Sequence, residues 1–177
     1  MYRVFAILVI LTEVGFGQGV TGRPETVDYV DLNRYTGLWY EIARIPNSFQ
    51  DQCIANATAY YKILEDGSIE VINSCEEEDG SLDTAKGIAY VVDTVTNSKL
   101  EVSFVKILGF NLFWGDYWIL GLGDNYDYAV VGTPSRKYGW ILSRERNMSE
   151  ELLDDAFTIL KNQGYDRSKF KETLQIP

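Results

Sequence analysis

Hydrophobic and polar residues alternate in short runs along most of the chain after residue 36. Alternation with a period of two, rich in aromatic and β-branched residues, is typical of strands that bury one face. Asp66-Gly67 is a strong tight-hairpin signal between the second and third runs. The pattern predicts eight strands: Gly37–Ile45, Ala55–Leu64, Ser68–Cys75, Ala85–Val92, Lys99–Lys106, Asp116–Leu122, Tyr128–Thr133 and Tyr138–Arg144.

The hydrophobic period changes after the last predicted strand. Ser149 is a suitable N-cap, Glu150 and Glu151 occupy the favourable first turn, and Gly164 ends the segment. One apolar stripe joins Leu152, Leu153, Ala156, Ile159 and Leu160. Because exposed sheet edges are costly and eight strands can close on themselves, we predict an all-β fold. It is an eight-stranded antiparallel up-and-down β-barrel with one C-terminal α-helix packed outside.

The first residues follow the order of a secretory signal. Arg3 precedes an apolar run over residues 4–11 that is too short for a permanent membrane span, and small residues follow it. We predict a signal peptide over residues 1–19, a flexible leader over residues 20–28 and a barrel domain over residues 29–177. The protein is therefore expected to be exported, either periplasmic or secreted, with association with the outer membrane as an open alternative.

The amino-acid composition excludes several classes of partner and of catalytic or metal site. The chain has 177 residues, of which 46% are hydrophobic and 24% charged, as expected of one globular domain. The net charge of -10 disfavours nucleic acid as a partner. The absence of histidine excludes histidine-dependent nucleophile systems and zinc sites, and two cysteines are too few for a four-cysteine metal cage. We expect no metal, no cofactor and no catalytic residues.

Three local motifs resemble the lipocalin family. Gly37-Leu38-Trp39-Tyr40-Glu41 matches its G-x-W-[YF]-E opening, and Asp127-Tyr128 lies where the family carries its second signature. Arg144 matches the lone arginine at the end of the last strand. The sequence around these motifs is most similar to the branch that contains apolipoprotein D and the bacterial outer-membrane lipocalins. Bacterial members usually carry a lipid-anchor cysteine after the signal, and since none follows the apolar run here, we expect no anchor of that kind.

The resemblance implies structural roles for the signature residues Gly37, Trp39, Asp127, Tyr128 and Arg144. In the family, the tryptophan plugs the closed floor of the barrel and the arginine lies across it, a contact worth about 0.5–2 kcal/mol. If the first strand starts at the floor, alternate loops form the open end. These loops are Pro46–Ile54, Glu76–Leu82, Ile107–Gly115 and Pro134–Lys137.

Cys53 and Cys75 both fall at the open end, on strands that flank one hairpin. In an exported chain we expect them to form a disulfide, which closes a loop of about 20 residues and contributes roughly 3 kcal/mol. The alternative is a reactive thiol. That would need a neighbour that lowers the pKa of the thiol, whereas the adjacent glutamates at 76–78 would raise it.

The resemblance also implies a ligand cavity. Tyr61, Phe104, Tyr117 and Trp140 match positions that line it in apolipoprotein D-like lipocalins, and alternation turns Ala57, Ala59, Asn73, Val102, Ile119 and Leu142 inward as well. The predicted ligand-binding residues are Tyr61, Asn73, Phe104, Tyr117, Ile119, Trp140 and Leu142. The alternative is a dry barrel filled by these side chains, as in a pure interaction module.

The predicted function is to bind and carry a small hydrophobic ligand, such as a fatty acid or lysophospholipid, in membrane lipid storage, transport or repair. No lysine or arginine is among the predicted lining residues, so a carboxylate head would stay at the mouth near Arg44 or Lys137. An enzyme acting on a lipid or isoprenoid is the alternative. Its candidate acids are Glu41, Asp116, Asp124 and Asp127, with Glu41 of interest if it is buried.

The predicted loop Ile107–Gly115 is unusually apolar. Exposed apolar patches often mark a surface for a partner, a membrane or a ligand. We predict contact with a membrane surface during ligand loading, and a lid folded over the rim is the alternative. The residues concerned are Leu108, Phe110, Leu112, Phe113 and Trp114.

Overall fold

Eight antiparallel strands form a closed barrel. They belong to a computed structural model that describes residues 22–107 and 110–176, so the predicted signal peptide and Leu108 lie outside the described residues. Each barrel strand pairs with the next along the chain, and the last pairs with the first, which confirms the predicted barrel. The barrel strands are β1 (Gly37–Arg44), β2 (Ala55–Ile63), β3 (Ile69–Glu76), β4 (Leu82–Val91), β5 (Lys99–Ser103), β8 (Gly115–Leu122), β9 (Tyr128–Gly132) and β10 (Gly139–Ser143).

The connection between β5 and β8 differs from the prediction. The fifth strand was predicted to reach Lys106 but ends at Ser103, and the following residues form a separate hairpin of β6 (Val105–Ile107) and β7 (Phe110–Leu112). The buried Ser103 hydroxyl donates to the Leu112 carbonyl at 2.5 Å, which fixes the base of this hairpin outside the barrel ladder. We call residues 105–107 and 110–112 the rim hairpin.

The barrel floor is built around Trp39 and Arg144. Trp39 is completely buried, and its indole N–H donates to the Tyr35 carbonyl of α1 (Leu32–Tyr35) at 2.8 Å. The Arg144 guanidinium carbon lies 3.7 Å from the Trp39 ring centroid. Its N–H groups donate to the carbonyls of residues 34, 35, 36 and 38. The floor therefore has the arrangement that the family resemblance implies.

The other signature residues support this floor. Gly37 has a φ of +96°, in the region that favours glycine, and a Cβ there would lie 3.5 Å from the Arg144 guanidinium. The Asp127 carbonyl accepts from the Arg144 main-chain N–H at 2.8 Å, and its carboxylate accepts from the Tyr128 N–H at 3.1 Å. Tyr128 packs into the core outside the barrel. These contacts join the loop between β8 and β9 to the end of β10.

The C-terminal helix packs outside the barrel, as predicted. It is α2 (Glu150–Asn162), and the Ser149 hydroxyl at its N-cap accepts from the Leu152 N–H at 3.3 Å. It buries Ala156, Phe157 and Leu160 against the outer faces of β8 and β9. A 3₁₀ turn (Arg167–Lys169) follows. In the part of the chain described, no helix has the length and apolar character that crossing a membrane requires.

The chain end contributes a strand that the sequence did not predict. The pairing of β1 with β10 is irregular between Glu41 and Ala43, and β1 pairs with β2 only over its first half. In the gap, β11 (Lys171–Glu172) pairs with the second half of β1, and Leu174 bridges to the start of β2. The C-terminal segment thus completes the wall where its first two strands separate.

Residues 22–28, within the predicted flexible leader, lie against the barrel. The Val27 N–H donates to the Ile119 carbonyl at 3.0 Å, and Arg136 donates to the Gly22 carbonyl at 2.9 Å. Pro24 is buried. The flexibility of this leader stays a prediction.

We expect Arg144→Lys to lower the free energy of unfolding by about 2–4 kcal/mol, because lysine keeps the charge but loses the planar donor set that pairs the floor carbonyls. Urea unfolding followed by circular dichroism measures this. Arg146→Lys is the control, since Arg146 is exposed at 5.1 Å from the Tyr40 ring, and its change should stay within about 0.5 kcal/mol. Equal losses in both variants would contradict the role of Arg144 in the floor.

Candidate functional site

The barrel is hollow above its floor. A cavity of about 490 Å³ opens at the end opposite Trp39, between the loop after β1, the loop after β9 and residues 113–114 beside the rim hairpin. This volume is within the range of small-molecule sites. Much of the wall is apolar and includes Ile69, Val71, Ala89, Leu100, Val102 and Leu142. The interior is therefore not filled by its own side chains.

Most of the predicted ligand-binding residues border this cavity. They are Tyr61, Asn73, Phe104, Tyr117, Trp140 and Leu142, together with the predicted neighbours Ala59 and Val102. Ile119 does not border it, because it is fully buried in the inner core beneath, with Trp39. Ala57 is buried without bordering the cavity, and it lies where the pairing of β2 with β3 is irregular, between Ala55 and Thr58. That the lining residues contact a ligand stays a prediction.

Three tyrosines meet at the deep end of the cavity, and we call them the tyrosine cluster: Tyr35 of α1, Tyr61 of β2 and Tyr117 of β8. The Tyr117 hydroxyl oxygen lies 2.7 Å from that of Tyr35 and 2.9 Å from that of Tyr61. Burial raises the pKa of all three hydroxyls, that of Tyr61 to about 12. They are therefore neutral hydrogen-bonding groups at physiological pH. Tyr35 was not predicted as a lining residue, because α1 is too short to show a helical period in the sequence.

One polar side chain of the cavity wall, that of Asn73, lies among small apolar ones. Asn73 of β3 is paired with Ala59 on one side and Ala85 on the other. Its Oδ1 atom is buried and accepts no hydrogen bond from the described residues. Leaving a buried acceptor unpaired costs about 1–3 kcal/mol. Asn73 therefore offers a point at which a ligand donor could be recognised.

Glu41 is buried at the cavity wall, but its carboxylate is fully engaged. It pairs with Arg44 at 2.5 Å and accepts from the Thr173 hydroxyl at 2.6 Å and the Gln50 amide at 2.9 Å. Three donors therefore hold it in place. The Gln50 side chain in turn accepts from the Trp140 indole N–H at 3.1 Å, which links this polar cluster to the cavity lining.

The same cluster removes Arg44 as a partner for a ligand carboxylate. Besides Glu41, its guanidinium donates to the main-chain carbonyls of Gln50 and Cys53, at 3.4 Å and 3.2 Å. Its donors are thus used to fix the loop at the mouth, contrary to the role expected from sequence. Lys137 is exposed, with its Nζ 5.4 Å from the ring centroid of Tyr138, which borders the cavity.

Cys53 and Cys75 form the predicted disulfide. Their Cα atoms are 5.4 Å apart, and the bond joins the loop before β2 to the end of β3. Both residues border the cavity. The bond therefore fixes part of the mouth, and the alternative of a reactive thiol is wrong.

The apolar residues near the rim hairpin face two ways. Phe113 and Trp114 border the cavity, and the Trp114 ring packs 5.5 Å from that of Tyr90. Ile107 and Phe110, which are paired across the hairpin, do not border it and are 51% and 71% exposed. The predicted apolar loop thus provides both a wall of the cavity and an apolar surface beside the mouth.

We expect the protein to lose stability as the pH rises from about 10 to about 12. The unfolded chain loses the Tyr61 phenol proton near pH 10, whereas the pKa in the folded protein is about 12, so the unfolded state gains from deprotonation first. Over this interval the free energy of unfolding of Tyr61→Phe should fall by about 2 kcal/mol less than that of the wild type. Urea unfolding across the pH range measures this. Tyr60→Phe, at an exposed neighbour, should behave as wild type. Identical profiles for Tyr61→Phe and wild type would contradict the prediction.

Residues 30–175 match the family model described as "Lipocalin-like domain". The chain is 38% identical over 169 residues to the outer membrane lipoprotein Blc of Vibrio cholerae, aligning 93% of this chain with 95% of that protein. It is 37% identical over 154 residues to temperature-induced lipocalin-1 of Arabidopsis thaliana, aligning 85% of this chain and 82% of that one. It is 33% identical over 172 residues to apolipoprotein D of Macaca fascicularis, aligning 90% of this chain with 85% of that protein.

The fold is similar to that of insecticyanin from the tobacco hornworm Manduca sexta. The TM-score is 0.70, and the alignment covers 88% of this chain and 86% of that structure. At 23% sequence identity, this likeness concerns the fold alone.

Proposed function

The chain belongs to the lipocalin family, and we propose that it binds and carries a fatty acid, lysophospholipid or similar lipid in its barrel. The observation that carries this proposal is the hollow, largely apolar interior of about 490 Å³. Each buried methylene of an acyl chain contributes at most about 0.8 kcal/mol, so a long chain gains roughly 10 kcal/mol before the cost of association. The net affinity is expected to be micromolar to nanomolar.

The charges at the mouth favour a neutral or zwitterionic lipid head over a free carboxylate. Asp83 and Asp116 border the cavity there, and Arg44 is committed to Glu41. An ammonium group beside these carboxylates would be attracted, whereas a fatty-acid head would be repelled unless Lys137 paired with it. We therefore infer that a lysophospholipid suits the mouth better than a fatty acid does.

Export of the protein and a role in membrane lipid storage, transport or repair form part of the proposal. The predicted signal peptide supports export. The chain is also similar over most of its length to a protein named an outer membrane lipoprotein. Such a location would bring the barrel mouth close to membrane lipids.

We propose a carrier rather than an enzyme. Of the candidate acids, Glu41 borders the cavity but is held by three donors, and Asp116 lies at the mouth. Asp127 belongs to the floor loop, where its carboxylate accepts from a main-chain N–H. The Thr173 hydroxyl donates to Glu41, but Arg44 and Gln50 hold the same carboxylate, so these acids serve best as structural and electrostatic groups.

We also propose that the rim hairpin contacts a membrane during loading. Ile107 and Phe110 are exposed beside the mouth, where the hairpin would enter the bilayer surface with the opening facing the lipid. The net charge of -10 favours a zwitterionic membrane over an anionic one.

Binding of a lysophospholipid should change the tryptophan fluorescence, because Trp140 borders the cavity. Trp114 also borders the cavity, so we expect most of this change to be lost only in the double variant Trp114→Phe/Trp140→Phe, and part of it in Trp140→Phe. Trp118→Phe is the matched control and should keep it, since Trp118 is buried in the outer core with Lys99 over its ring. No response of the wild type to lysophospholipids, fatty acids or retinoids would contradict the carrier proposal.

Ile107→Ser/Phe110→Ser should reduce flotation with phosphatidylcholine vesicles, with a partition coefficient lowered about tenfold or more by the loss of two apolar side chains. The variant leaves the cavity lining intact. Val95→Ser is the control. Val95 is 83% exposed in the loop after β4, whose Thr96 carbonyl accepts from the Val30 N–H at the floor end. Equal recovery of wild type and the double variant would remove the membrane proposal.

A further inference from the structure

The tyrosine cluster has more hydroxyl protons than hydrogen bonds between its own oxygens. If the proposed function holds, this excess indicates what part of the ligand the cluster contacts. Its three hydroxyl groups carry three protons. They make two contacts with one another, at 2.7 Å and 2.9 Å, and each contact uses one proton. The described residues provide no other hydrogen bond to these hydroxyls. Whichever oxygen donates in each contact, one hydroxyl proton is therefore always left over.

The unused proton lies where a ligand would meet it. All three tyrosines border the cavity, and Tyr117 is only partly buried there. Their rings are fixed by packing, with centroids 5.7 Å apart between Tyr35 and Tyr61 and 5.9 Å apart between Tyr61 and Tyr117. The hydroxyls are consequently held at the deep end. The methyl end of a lipid placed against them would leave a buried donor unpaired, which is unfavourable.

The deep end suits a neutral oxygen better than an anion. Arg144, the cation of the floor, already donates to main-chain carbonyls on the Trp39 side of α1. A carboxylate among the tyrosines would lose its hydration without gaining a cation, and burying an unpaired charge is costly. A hydroxyl or carbonyl oxygen is neutral, and it needs only one donor, which the unused hydroxyl proton of the cluster provides.

We propose that the tyrosine cluster is a subsite for a neutral oxygen atom at the end of the ligand that enters first. The ligand class is a lipid with a hydroxyl, ketone or ester carbonyl on its inserted end and a polar head that stays at the mouth. A hydroxyl on the ligand fits best, because it accepts the unused proton and donates its own to a tyrosine oxygen.

The test compares three probes of similar length: palmitic acid, its ω-hydroxy derivative and the matching α,ω-diacid. The wild type should bind the ω-hydroxy acid about fivefold more tightly than palmitic acid, as a satisfied donor predicts. The diacid should bind no more tightly than palmitic acid. Equal affinities for palmitic acid and its ω-hydroxy derivative would overturn the subsite alone. If neither a lysophospholipid nor any of the three probes binds, the proposed function itself is overturned.

Two variants test the proton count. The triple variant Tyr35→Phe/Tyr61→Phe/Tyr117→Phe keeps the rings and removes every hydroxyl, so the preference for the ω-hydroxy acid should disappear. The single variant Tyr61→Phe leaves two hydroxyls sharing one hydrogen bond, so one proton remains unused and the preference should persist. Loss of the preference in Tyr61→Phe, with binding of palmitic acid retained, would contradict the count. This single variant and the wild-type comparison decide the question even if the triple variant fails to fold.

Discussion

The contact of Arg144 with Trp39 determines more than the closure of one barrel end. The same guanidinium donates hydrogen bonds to the main-chain carbonyls of residues 34–36, and so it holds the short helix α1 across the floor. That helix is the element that brings Tyr35 to the deep end of the cavity. A four-residue helix would not persist alone, because helix nucleation is unfavourable. The chemistry of the deep end therefore depends on a cation that does not border the cavity.

The alternation of apolar residues was sufficient to predict the barrel, because it indicated strands with one apolar face, and closure follows from the cost of free edges. It failed where the ladder is irregular. Ala57 lies in the irregular part of the β2–β3 pairing and does not border the cavity, and β11 pairs with β1 beyond the irregularity after Glu41. Such irregularities have no period, and a two-residue strand is recognised only by its partners in space. The helix was predictable from its cap at Ser149 and its apolar stripe.

The lining of the cavity was largely predictable from family positions and alternation, whereas the pairing of its polar groups was not. Arg44 has the charge to hold a carboxylate, yet the fold gives it Glu41 and two loop carbonyls instead. Likewise, Tyr61 and Tyr117 were predicted as lining residues, but the hydrogen bond between their hydroxyls, and the bond from Tyr117 to Tyr35, were not. Which donors remain free depends on distances of a few tenths of an ångström, and no sequence pattern records these.

The polar groups of the cavity thus divide into two kinds. Those of the Glu41 cluster satisfy one another and link β1 to the mouth loop and the chain end, so their role is to hold the wall together. Asn73 keeps an acceptor unpaired, and the tyrosine cluster keeps a proton. A buried polar group left unsatisfied is unfavourable for folding, and where it borders a cavity a ligand can pair with it. Asn73 lies on the wall and the tyrosine cluster at the deep end, which is why the inserted end of the ligand, as well as its head, is expected to carry oxygen.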